Sequence, residues 1–168
     1  AFESGSSLGT SPGKMDDWLL ARLQISRSKW LEAMGNVSLR EGVMTSHFEM
    51  LSDWHWYRRR GGSDGPTARQ YLSSWAEMLA PATPHIAEEF WSSLGGEGML
   101  ASHTLSDMKA DSDYSEVLAR EEYLRDLIHS ARNLRGLAEK HSDAPITKMV
   151  VQTASNWKSD LARDAVQL

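Results

Sequence analysis

The chain has 168 residues, 40% of them apolar, with no cysteine and a net charge of −5. That length suits one domain with a core, the missing cysteines exclude disulfides and cysteine-based metal centres, and no apolar run approaches the ~20 residues a membrane-spanning helix needs. The acidic balance argues against a uniformly basic nucleic-acid binder, but it is uneven: residues 14–60 carry eight Lys/Arg against six Asp/Glu, and residues 61–143 carry seven against fourteen. A basic face therefore fits beside an acidic one.

Residues 1–14, rich in Ser and Gly, read as a flexible lead-in without the blocks of a signal peptide. The opening Ala-Phe in place of Met reads as a cut from a longer protein. A first helix is expected from about Asp16 to Met34, with Met15, Leu19, Leu23, Trp30 and Met34 on its buried stripe and Gly35-Asn36 closing it. Ser38 and Glu41 form a capping box for a second helix running to about Arg59, with Val43, Met44, Phe48, Leu51 and Trp54 expected on its buried side. Gly61 to Pro66 is a loop, and Pro66 starts a third helix whose stripe is Ala68, Tyr71, Leu72, Trp75, Met78 and Leu79.

Pro81 stops that helix, because a proline inside it would lack an N–H and clash with the preceding turn. Thr83 and Pro84 start a fourth helix with Ile86, Phe90 and Leu94 facing inward, ended by Gly95-Gly96. Residues 95–113 read as a loop. Asp113 and Glu116 cap a long helix to about Lys140, striped by Val117, Leu124, Leu127, Ile128, Ala131, Leu134 and Ala138. Ile146 to Thr153 alternates like a strand, and Trp157, Leu161, Ala165 and Leu168 mark a last helix. The predicted fold is mainly α: a lead-in over 1–14, an antiparallel helix bundle over 15–141, and over 142–168 the truncated β-α start of a C-terminal α/β domain.

The residues Leu79 to Trp91, Leu-Ala-Pro-Ala-Thr-Pro-His-Ile-Ala-Glu-Glu-Phe-Trp, resemble the helical corner in the anticodon-binding domain of class I aminoacyl-tRNA synthetases, most nearly the leucine, isoleucine and valine enzymes. Four further blocks keep the family's order: Met15–Leu23, Leu51–Gly61, Glu121–Ile128 and Val150–Lys158. The last two resemble the leucyl branch of archaeal and eukaryotic-cytosolic type rather than the isoleucyl or valyl branches. Two positions depart from the family: Thr104-Leu105-Ser106 stands where Trp-Pro is usual, and His55 where an arginine is frequent.

No Walker loop, Gly-x-Gly-x-x-Gly or Gly-x-Ser-x-Gly occurs. The histidines at 47, 55, 85, 103, 129 and 141 form no metal-ligand pair with a carboxylate. Glu88 and Glu89 point about 100° apart on a helix and cannot share one substrate. The reading assigns no catalytic residue, metal or cofactor to this piece. The polar cluster that stands out is Trp54 to Gly62, where Arg58, Arg59 and Arg60 end a helix. Guanidinium groups bind phosphate in two-pronged fashion and neighbouring aromatics stack on bases. Arg22, Arg27 and Lys29 extend the same candidate patch.

The resemblance implies a cytoplasmic ligase that joins leucine to tRNA(Leu) with ATP and Mg. Its catalytic and editing domains lie outside this chain, and the present piece holds tRNA by backbone contacts. The competing expectations are the anticodon-binding domain of an isoleucyl- or valyl-tRNA synthetase, or a non-catalytic helical interaction module docking through exposed Trp18 or Trp91.

Overall fold

The computed structural model describes residues 12–103, 105, 113–141 and 146–152, and among these there are helices and no strand. Helix α1 (Pro12–Gly35) buries Met15, Trp18, Leu19, Leu23 and Trp30. Its end differs from the expected Gly35-Asn36 stop. Ser38 N–H donates to Ala33 O at 2.7 Å and Val37 N–H to Met34 O at 3.1 Å, so the left-handed position falls on Val37, at φ 58°. This bond pair is the usual glycine-terminated helix end, carried here by a β-branched residue.

One helical rod follows: α2 (Leu39–Val43), a π-helical stretch (Met44–Glu49) and α3 (Met50–Arg59). Ser38 precedes it without a side-chain capping bond, so the expected capping box is not formed. The buried side of the rod also differs from expectation. Gly42, Thr45, Ser46, Met50, Asp53 and Tyr57 face inward, whereas Met44, Phe48 and Leu51 are 44%, 59% and 38% exposed. Close approach to α1 selects this face. A Cβ on Gly42 would lie 2.5 Å from Met34 Cε, the flexible end of a side chain that packs over this glycine where the helices cross. The widened π turn interrupts the regular i to i−4 ladder. Side chains from the next helix bond to the rod's carbonyls: Trp75 Nε1–H donates to Ser46 O at 2.5 Å and the Tyr71 hydroxyl to Met50 O at 2.9 Å.

The rod ends as the sequence suggests. Gly62 N–H donates to Tyr57 O at 2.9 Å and Gly61, at φ 88°, donates to Arg58 O at 3.2 Å. Helix α4 (Pro66–Leu79) then buries Ala68, Tyr71, Met78 and Leu79, with Leu72 and Trp75 half-buried, and packs against α1. The corner turns at Pro81, and α5 (Pro84–Ser93) starts on Pro84. Thr83 does not cap the α5 amides; its hydroxyl donates back to Leu79 O at 3.3 Å. Ala87 is the buried residue of α5, and Ile86, expected inside, is 61% exposed.

Two apolar clusters result. The larger gathers Met15, Trp18, Leu19, Leu23, Trp30, Met50, Tyr57, Tyr71 and Met78. The smaller joins Ala76, Leu79, Ala87 and Leu100 at the corner. A file of rings links them, from Tyr57 to Trp54, Tyr71, Trp75 and Phe90, with successive centroids 5.6, 6.1, 6.3 and 5.7 Å apart. Such stacked, tilted and edge-on contacts add to the stabilisation from the area the rings bury. A short 3₁₀ turn (Leu100–Ser102) is held to α5 by Glu88, whose carboxylate accepts the Leu100 and Ala101 N–H groups at 2.9 and 3.0 Å.

Helix α6 spans Ser115–Lys140, and Asp113 accepts the Ser115 N–H at 2.9 Å. The chain divides into two compact units, residues 1–123 and 124–168. In the second, Leu124, Leu127 and Ile128 are half-buried while Leu134 is 63% exposed, so the expected stripe fades toward its end. Residues 146–152 are irregular where a strand was expected. Strand geometry needs a neighbour to take its N–H and C=O groups, and no paired neighbour is present among the described residues. The expected last helix lies outside the described residues, as do residues 1–11 of the lead-in and the 104–106 departure except Leu105.

Candidate nucleic-acid interface

The six cations picked out from the sequence divide into two sets. Arg22 Nε donates to Asp53 Oδ2 at 2.7 Å, and Asp53 is buried beneath it. Arg27 and Glu77 face each other at 3.6 Å with both side chains about nine-tenths buried. Burial pushes the Glu77 carboxyl upward and the Arg27 charge opposes that shift. Arg60 donates to Glu121 from Nε at 2.9 Å and from its terminal nitrogen at 3.1 Å, and Trp56 Nε1–H reaches the same carboxylate at 3.1 Å. Glu121 itself is 1% exposed. These three arginines hold helices together. Each faces a carboxylate inside the fold, as buried charges require.

Lys29, Arg58 and Arg59 remain at the surface. Lys29 is half-exposed and paired with Glu49. Arg58 lies 2.5 Å from Asp64 Oδ1, and its guanidinium sits 5.8 Å from the Trp54 ring centroid. Asp64 is 82% exposed, and an ion pair that open to water contributes little, so Arg58 is free to exchange it for another anion. Arg59 is exposed and has no ionic partner among the described residues.

The rod orders these groups into a face. Its exposed residues from Met44 onward are Met44, Phe48, Leu51, Ser52, His55, Arg58 and Arg59. None is a carboxylate. The acidic residues of that stretch, Glu49 and Asp53, turn toward α1 and are neutralised there by Lys29 and Arg22. The aromatics beside the arginines do not share the face. Tyr57 is buried with its hydroxyl 2.7 Å from Asp16 Oδ1 and 2.9 Å from Ser63 O, and its pKa is pushed up to about 12, first by burial and then by Asp16. Trp54 and Trp56 are half-buried.

Sequence periodicity missed Phe48, Met44 and Leu51 as surface residues. The signal that would have found them was the second stripe at the same spacing, Gly42, Ser46, Met50, Asp53 and Tyr57. Its polar members are complemented by α1 and α4. Trp18, expected as an exposed docking residue, is 2% exposed, and half-buried Trp91 packs edge-on to His103 at 4.7 Å. Neither offers a docking surface. At the corner, a cavity of about 360 Å³ is lined by Trp30, Glu77, Pro81, Pro84, Leu100 and His103 among others. Among the described residues no group of three or more His, Asp or Glu stands where it could hold a metal ion, and no helix is long and apolar enough to cross a membrane.

Comparison with known proteins agrees with this architecture. A family model described as the anticodon-binding domain of tRNA ligase matches residues 16–152. The chain is 30% identical over 148 residues to a leucine–tRNA ligase of Methanococcus maripaludis, covering 88% of this chain and 15% of that protein. It is 31% identical over 149 residues to the leucine–tRNA ligase of Archaeoglobus fulgidus, covering 89% and 15%. Against that of Methanosarcina acetivorans it is 29% identical over 176 residues, covering 99% and 17%. The chain thus spans about one-sixth of the length of the curated relatives it matches. A helical bundle turned at a proline corner, matched by that model over most of its length, belongs to the family of anticodon-binding domains of tRNA ligases.

Proposed function

We propose that this chain is the tRNA-binding helical domain of a leucine–tRNA ligase. The intact, cytoplasmic enzyme attaches leucine to tRNA(Leu) using ATP and Mg, with chemistry and editing performed in other parts of the protein. This domain contributes no catalytic group; it positions tRNA through phosphate contacts. The observation that carries the reading is the carboxylate-free face ending in exposed Arg58 and Arg59. Phosphate contacts fix register and orientation on the nucleic acid without reading its bases. Arg58 and Arg59 are the principal phosphate ligands, and Lys29, on α1 beside Glu49, is a secondary one. Arg22, Arg27 and Arg60 support the face from beneath by holding Asp53, Glu77 and Glu121.

The reading is tested by measuring tRNA affinity across a salt series. Each phosphate contact adds about 0.7–0.9 to the slope of log affinity against log salt. Replacing Arg58 and Arg59 together by Gln is expected to flatten the slope by about 1.5, roughly two contacts' worth. An unchanged slope removes both residues from the interface.

A further inference from the structure

The rod exposes three apolar side chains, Met44, Phe48 and Leu51, while Gly42, Thr45, Ser46, Met50, Asp53 and Tyr57 face inward. Phe48 is the aromatic residue on the outward face and is 59% exposed, flanked by Met44 one helical turn before it and Leu51 one turn after. The aromatics that lie closer to the arginines in sequence are engaged elsewhere: Trp54 with Tyr57 and Tyr71, and Trp56 with Glu121. We propose that Phe48 is a stacking platform for one unpaired nucleotide of the RNA whose backbone runs over Arg58 and Arg59. This rests on the tRNA reading above and deepens it, because it adds a base contact where that reading has only phosphates.

Three observations favour a nucleotide over a protein segment. From Met44 to Arg59 no exposed residue of the rod is a carboxylate; Glu49 is paired with Lys29 and the exposed Asp64 beyond the rod's end with Arg58, so a polyanion meets no unpaired like charge along it. It becomes steadily more basic toward its end, through His55 to Arg58 and Arg59, so the apolar patch and the cations are continuous on one helix. Phe48 and Arg59 stand eleven residues apart, about 16 Å at 1.5 Å per residue, a span of a few nucleotides. An exposed ring beside a basic track is the arrangement by which proteins hold unpaired bases. Every base has a π face, so such a platform tolerates any sequence. That tolerance suits a domain that positions tRNA without reading its sequence.

The test is a tRNA titration by fluorescence anisotropy over a salt series, with Phe48→Ala, Phe48→Tyr and the Arg58→Gln, Arg59→Gln pair. Phe48 is exposed, and thermal melts of each variant check that the fold is kept. Phe48→Ala is expected to weaken binding by about 5- to 150-fold at every salt concentration with the slope unchanged, and Phe48→Tyr to retain wild-type affinity. The arginine pair changes the slope instead, which separates the two contributions. Equal affinity of Phe48→Ala and wild type overturns the platform and leaves the phosphate reading intact, as does a Tyr variant as weak as Ala. A Phe48→Ala variant that loses self-association or a protein contact while binding tRNA normally makes the face a protein-docking surface and overturns the proposal. A wild-type chain that does not bind tRNA overturns the phosphate reading and the platform together.

Discussion

Val37 is the residue where the chain bears local strain. A left-handed backbone costs an L-residue roughly 1–2 kcal/mol, and a β-branched side chain has least room for it. Its side chain is 76% exposed, so no burial offsets the cost. Val37→Gly is expected to stabilise the protein by about 1 kcal/mol after glycine's own entropy loss, read from urea denaturation. A destabilised variant would show that the side chain contributes more through its contacts than the backbone loses. The arginines give the second residue-scale lesson. Arg58, Arg59 and Arg60 are consecutive, yet Arg60 reaches a buried carboxylate while Arg59 points to solvent. Steps of about 100° around the helix separate a cation tied to a buried carboxylate from one that faces solvent.

At the scale of elements, the rod from Leu39 to Arg59 and the strap over the corner carry the distinctive physics. Two apolar-compatible stripes compete on the rod, and the inward one is the stripe that lets α1 approach at Gly42 and supplies Asp53 to Arg22. The strap, Leu100 to Ser102, is held by Glu88. The two backbone N–H donors, Leu100 first and Ala101 second, hold the Glu88 carboxyl below its ordinary value. Its folded-state affinity for a proton is thus lower than in the unfolded chain. The contribution to stability is full above the unfolded value and is lost as pH falls through the depressed one. The Leu100 and Ala101 amide resonances are expected to titrate together below the usual glutamate range. In Glu88→Gln that titration is expected to vanish. Amides that titrate unchanged in the Gln variant would assign the transition to another group.

Across the whole molecule, one polar tie joins parts far apart in sequence. Glu121 on α6 receives Trp56 from α3 and Arg60 from the turn that ends it, sixty-five and sixty-one residues away. Removing one partner of a buried charge pair leaves the other uncompensated, which costs about 3–5 kcal/mol. Glu121→Ala is expected to lower unfolding free energy by about 3 kcal/mol, whereas exposed Arg59→Ala stays within about 0.5 kcal/mol. Denaturant melts distinguish the two. Similar losses in both would mean that Arg59 also has a structural role. The same separation explains how an acidic chain presents a basic face: Glu49, Asp53, Glu77 and Glu121 each lie against a cation within the fold, and Arg58 and Arg59 are exposed at the end of the rod.

Among the described residues, the sequence by itself determined the limits of the long helical stretches within a few residues, the proline corner, the stripes of α1 and α4, and the family. These follow from local rules: proline and glycine stop helices, and a long apolar period has one face to bury. Tertiary structure alone decided which face of the rod turns inward, which arginines are free, and that residues 146–152 form no strand. Each of those outcomes depends on a partner distant in sequence. Two stripes of similar spacing are equivalent until α1 and α4 arrive with complementary groups, a cation is free or bound according to which carboxylate folds beside it, and a strand exists only where a second one pairs with it.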